Sequence, residues 1–129
     1  MGRNTITDSF RRCQQGEMWD MLAIQEVKHF FASGNPQLRN IIQAQIKQTQ
    51  TEIVKAIGSK KFQSIGASEE FTKLYNINYE LFEKIRELEG DVTSPMRAWE
   101  LHSLNKERFK AKRVIQEKFF LKELQEIKL

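Results

Sequence analysis

The stretch SEEFTKLYNINYELFEKIRELEG, residues 68–90, decides the fold class. Phe71, Leu74, Tyr75, Asn78, Leu81, Phe82, Ile85 and Leu88 recur at spacings of three and four, which places them on one side of an amphipathic helix. Ser68 offers a capping oxygen, Glu69 and Glu70 put negative charge at the positive end of the helix dipole, and Gly90 stops the helix. Asn78 is the exception in that stripe. A buried polar group without a hydrogen bond costs about 1–3 kcal/mol, so Asn78 requires a partner from another element.

Working outward, the same periodicity returns on both sides. Upstream, Gly16 opens a helix carrying Trp19, Leu22, Ala23, Val27, Phe30 and Phe31, which Ser33 and Gly34 end. Asn35 and Pro36 then supply a cap and a proline at the first helical position. The second helix carries Leu38, Ile41, Ile42, Ile46, Ile53 and Ile57 on one side, with Gln43, Gln45, Gln48 and Gln50 forming a solvated face. Gly58 closes it, and residues 59–67 form a basic connection with room for a short turn. Downstream, Ser94 and Pro95 repeat the cap and proline, and no glycine or proline follows. That last helix runs for roughly 35 residues, or about 50 Å. It outreaches its partners, so it either bends or projects Phe119, Phe120 and Leu124 into a second subunit, and the second option predicts a homodimer.

The expected fold is therefore all-α: an antiparallel bundle of four main helices with a long C-terminal helix, formed by one domain over residues 1–129, with residues 1–15 as an arm or single turn. At 40% hydrophobic and 29% charged residues, the chain can bury a core without metal or disulfide staples. The single cysteine, Cys13, has no internal partner, and no apolar run reads as a signal peptide or a membrane span, so a cytoplasmic protein without membrane insertion is expected.

A net charge of +4 invites a nucleic-acid reading, but its distribution argues for a different use. Residues 1–34 are neutral, 35–61 carry +4, 62–96 carry −4 and 97–129 carry +4. An acidic segment between two basic ones suits attraction between neighbouring helices better than a phosphate-tracking groove, which gains from basic side chains and aromatics on one open face.

Catalytic constellations are absent from the sequence: there is no phosphate-binding glycine loop, nucleophile elbow, HExxH or paired CxxC. Glu26 and His29 make a single Glu-x-x-His step, whereas a di-iron bundle needs two, and Glu69-Glu70 lacks the later acids of a pyrophosphatase-type helix pair. No metal, cofactor or catalytic residue is expected. Polar residues on faces that should be apolar are more informative. In the last helix, His102 and Asn105 continue a line from Trp99 to Phe109, and Arg108 and Lys112 project from nearly the same side as Asn105. With Asn78 they need acceptors, for which Asp20 or Glu26 of the first helix are placed. Two functions follow from such a centre. It can be an internal network that fixes which helix faces which, in a non-catalytic interaction or assembly module. Alternatively, Asn105, Arg108 and Lys112 can hold a phosphate, a carboxylate or a nucleotide sugar, in a small binding protein or enzyme.

The run Gly16-Glu17-Met18-Trp19-Asp20-Met21-Leu22-Ala23-Ile24-Gln25-Glu26-Val27-Lys28 resembles the GEL-hydrophobic-DKLTILEIK opening of an uncharacterised bacterial helical family. That family is often encoded beside glycosyltransferases and tetratricopeptide proteins. Asn105, Arg108, Lys112, Arg113 and Ile115 are similar to its N-x-x-R-x-x-x-K-R-x-I element, and Glu126 and Lys128 to its terminal E-x-K. The central element departs from the pattern: Phe82 stands where the family has tryptophan, and the acidic pair that follows is out of register. The resemblance implies a helical bundle with a shared polar centre, in a divergent branch such as a phage-borne one, and brings no established activity with it.

Overall fold

The computed structural model describes residues 14–87 and 95–128, with side chains of the last segment described from residue 98 to residue 120. Among these residues there are five helices and no strand: α1 (Gln15–Phe31), α2 (Pro36–Ile57), α3 (Ser59–Gly66), α4 (Glu69–Glu87) and α5 (Pro95–Lys128). The chain is an all-α bundle, and among the described residues no helix is long and apolar enough to cross a membrane.

The helix boundaries follow from local chemistry. Asn35 Oδ1 accepts the Leu38 N–H at 3.2 Å, with Pro36 opening α2 behind it. Gly58 adopts φ +86°, a left-handed conformation that side chains resist, and this lets the chain leave α2 and enter α3 at once. The basic connection is thus an eight-residue helix, more than the short turn the sequence suggested. Ser68 Oγ accepts the Phe71 N–H at 3.2 Å and donates to the Ile65 carbonyl at 2.6 Å, joining the start of α4 to the end of α3.

Contact pairs fix the directions. Asp20–Asn78 and Phe31–Phe82 run α1 parallel to α4, while Glu70–Lys118 and Lys84–Glu100 run α5 antiparallel to α4. α1 packs on α2, α4 and α5, and α4 packs on α5, so α1, α4 and α5 form a three-cornered core. α2 lies outside it against α1, and α3 bridges from α2 to α4. Trp19 sits fully buried at the centre, stacked on Phe62 of α3 at 5.3 Å and meeting the edge of Phe71 of α4 at 5.1 Å.

Two expectations about the last helix are corrected. Of the two ways to accommodate its length, it bends: Phe120 leaves helical geometry (φ −136°, ψ 23°), and its ring is fully buried in the chain's own core with Lys61 Nζ 4.3 Å from the ring centroid. Phe120 is therefore unavailable as a subunit contact, and Phe119 packs partly buried on the same core. The side chain of Leu124 lies outside the described residues. The inner line of α5 is also not the predicted one. Leu101, Leu104, Arg108, Ala111 and Ile115 turn inward, whereas Trp99, His102, Asn105 and Phe109 face solvent.

Candidate functional site

Asp20 is the hub of a polar centre built on three helices. It sits on α1 next to Trp19, so the packing of the indole carries the carboxylate inside, and it is only 5% exposed. Asn78 of α4 is equally buried and donates through Nδ2 to Asp20 Oδ1 at 3.0 Å and to the Leu74 carbonyl one turn back at 3.1 Å. The stripe residue that needed a partner thus has two acceptors for its amide NH2, one of them on another helix. From α5, Arg108 Nε stands 3.7 Å and Lys112 Nζ 3.9 Å from Asp20 Oδ2, beyond hydrogen-bond reach but close enough for charge attraction. Lys112 makes its short contacts with Glu17, at 3.0 Å and 3.1 Å, and lies over the Phe109 ring at 4.6 Å.

Two carboxylates and two cations therefore neutralise each other within the centre. Asp20 has both oxygens engaged, and Lys112 has two carboxylates within 4 Å. Arg108 Nε is shielded from solvent and makes no hydrogen bond, and the Arg108 side chain keeps 27% of its surface exposed.

Gly16 brings α1 and α5 close enough for this. Its N–H donates to Gln116 Oε1 at 2.8 Å, and a Cβ added at that position would sit 2.8 Å from the Lys112 carbonyl oxygen. Only glycine admits the α5 backbone there, and that approach is what lets Lys112 reach Glu17 and Asp20. Sequence reasoning used Gly16 only as a helix opening and missed Glu17 and Gln116. A glycine inside the first turn of an otherwise strong helix was the available signal.

The structure thus joins Asp20, Asn78, Arg108 and Lys112 and leaves the other candidates apart. His102 and Asn105 are exposed on α5. Glu26 lies away from the network on α1, where burial pushes its carboxyl above the usual range, and burial, followed by the charge of Glu26, raises the hydroxyl pKa of Tyr75.

Two concavities border this centre, one lined in part by Asp20 and the other by Lys112, and they share one residue. A groove of about 820 Å³ runs between α1 and α2, with Met18, Met21 and Ile24 on one side and Gln45, Gln48 and Glu52 on the other. A smaller cleft of about 290 Å³ lies between α1 and α5, with Phe109, Arg113 and Gln116 along it, and Glu17 lines both. No protein-family model matches the chain, and neither the curated proteins nor the solved structures yield a significant match.

Proposed function

We propose that this chain is a non-catalytic helical interaction or assembly module of the cytoplasm, whose buried polar centre sets the register of α1, α4 and α5. One observation carries this reading: each cation inside has a carboxylate within 4 Å, while among the described residues large apolar side chains outside stay open to solvent. Trp99 is 67% and Phe109 64% exposed on the same helix that supplies Arg108 and Lys112. A site evolved to hold an anion keeps cations without carboxylate partners, whereas here Glu17 and Asp20 stand beside both, and Arg108 Nε is left without a hydrogen bond.

Membership of the resembling bacterial family, in a divergent branch such as a phage-borne one, belongs to the same proposal. It is supported by the convergence of Asp20 from the opening element with Arg108 and Lys112 from the later one. A thermal-shift screen against phosphate, sulfate, nucleotides and nucleotide sugars tests the reading, run on the native chain and on Lys112→Ala. The module reading expects no ligand-specific stabilisation. A shift given by one anion and lost in Lys112→Ala would replace it with the binding-protein reading, for which the unbonded Nε of Arg108 would be the docking group.

A further inference from the structure

The surface that runs from α2 across α1 to α5 carries two strips of opposite character, about 17 Å long on α2 and about 21 Å long on α5. On α2, Ile41, Gln45, Gln48 and Glu52 follow one another at spacings of four, three and four, and the last three line the groove over α1. On α5, Trp99, His102, Lys106, Phe109 and Arg113 follow at three, four, three and four, all exposed. Spacings of this kind form a straight seam along which a second helix can lie. The α5 strip holds two aromatics and no acid; the α2 strip and adjoining Glu17 hold no base.

We propose that the occupant of the α1/α2 groove is the α5 strip of a second copy of this chain, exchanged reciprocally about a two-fold axis running along the bundle. The levels of the two strips support this. Lys112 stands beside Glu17 and Thr49 beside Met21. Counted from those pairs at about 1.5 Å per residue, Arg113 and Glu52 fall within about 3 Å of one level of the bundle, and Trp99 and Ile41 within about 2 Å of another about 17–21 Å away. α2 and α5 both run antiparallel to α1, and such an axis preserves level and direction while exchanging sides. Arg113 of each copy, bonded at 2.9 Å to Glu117 of its own helix, then meets Glu52 of the other, which has Lys55 of its own helix at 3.9 Å, so two exposed pairs join into one network. Trp99 meets exposed Ile41, with Lys28 at that end of the groove offering a cation to the indole face.

Glu17, shared by groove and cleft, makes the contact continuous. A face three helices wide and about 20 Å long offers about 600 Å² per partner, at the lower end of specific interfaces, so the dimer is reversible. This inference rests on the module reading and names its partner.

Sedimentation of the full chain over about a hundred-fold dilution tests it, with E52R, R113E and the double variant E52R/R113E beside the native sequence. Both residues are exposed, at 54% for the Glu52 side chain and 80% for that of Arg113, so the fold survives the exchange, as circular dichroism will verify. The expected result is a monomer–dimer equilibrium weakened about ten-fold or more by either single exchange and recovered in the double. The fluorescence of Trp99 should shift to the blue on association. A chain that stays monomeric overturns the self-pairing while leaving the module reading to the anion screen. A dimer indifferent to all three variants, or singles that weaken without recovery in the double, also overturns it. Quenching of Trp99 by a single-stranded oligonucleotide at low salt, with no self-association, would assign the aromatic and basic strip to nucleic acid instead.

Discussion

Asp20 and Met21 are neighbours in the chain and belong to different worlds. Asp20, a charged residue, lies on the inner face of α1 with Trp19 and Ala23 and is bonded by Asn78. Met21, a large apolar residue, lies on the outer face and remains 49% exposed, its sulfur accepting a long contact from Thr49 Oγ1 at 3.9 Å. Hydrophobicity alone would place them the other way round. The inner face can accept a carboxylate because three helices meet there and deliver one amide and two cations, which compensate the loss of hydration. The outer face keeps a methionine in water because α2 packs on one flank of α1 and α5 on another, leaving the ridge between them open.

Substitutions should sharpen the contrast. The largest effect is expected at Phe120, whose ring is inside: Phe120→Ala should cost about 3–5 kcal/mol in urea denaturation, whereas Phe109→Ala, one helix segment earlier and exposed, should stay within about 0.5 kcal/mol. Equal losses would erase the distinction between the two aromatics. Gly16→Ala should come next, at about 1–3 kcal/mol, because the added Cβ meets the backbone oxygen of Lys112 and has no flexible side chain to displace. A neutral result would mean that α1 and α5 slide apart freely and that their polar contacts tolerate it.

The smallest effect is expected at Glu26. Burial raises its carboxyl pKa in the folded state above 4.5, so the folded protein holds this proton more tightly than the unfolded chain does. Stability from this group is fully present below 4.5 and is lost as pH rises through the raised value. Glu26→Gln should therefore melt above the native chain at neutral pH and level with it in acid. The same difference at both pH values would show that the charge of Glu26 is not what is penalised.

Much of this was legible beforehand, element by element. The stripe from Phe71 to Leu81 and the caps at Asn35 and Ser68 are local chemistry, and the structure reproduces them. Asn78 announced its need for a partner because a single polar side chain stood in an apolar line. Choosing between Asp20 and Glu26 as that partner needed only geometry: six positions at 100° each turn the two carboxylates about 120° apart, so they cannot serve one site.

The last helix was harder to read. Two lines with the same three-and-four spacing run along α5, and the heavier aromatics drew the inward assignment to Trp99 and Phe109. The smaller Leu101, Leu104, Ala111 and Ile115 take that place in the structure. Periodicity marks an apolar line without saying whether this chain or another covers it. The bend at Phe120 has no glycine or proline to announce it, and it coincides with a ring turning into the core.

The measurement that bears most directly on this account is urea denaturation of Asp20→Ala beside Met21→Ala. The structure predicts a loss of about 1–3 kcal/mol for Asp20→Ala, which takes one of the two hydrogen bonds from Asn78 and the carboxylate from Arg108 while Lys112 keeps Glu17, and a change within about 0.5 kcal/mol for Met21→Ala. An Asp20→Ala protein as stable as the native chain, or a Met21→Ala protein that unfolds, would contradict the assignment of a structural centre inside and an open face outside.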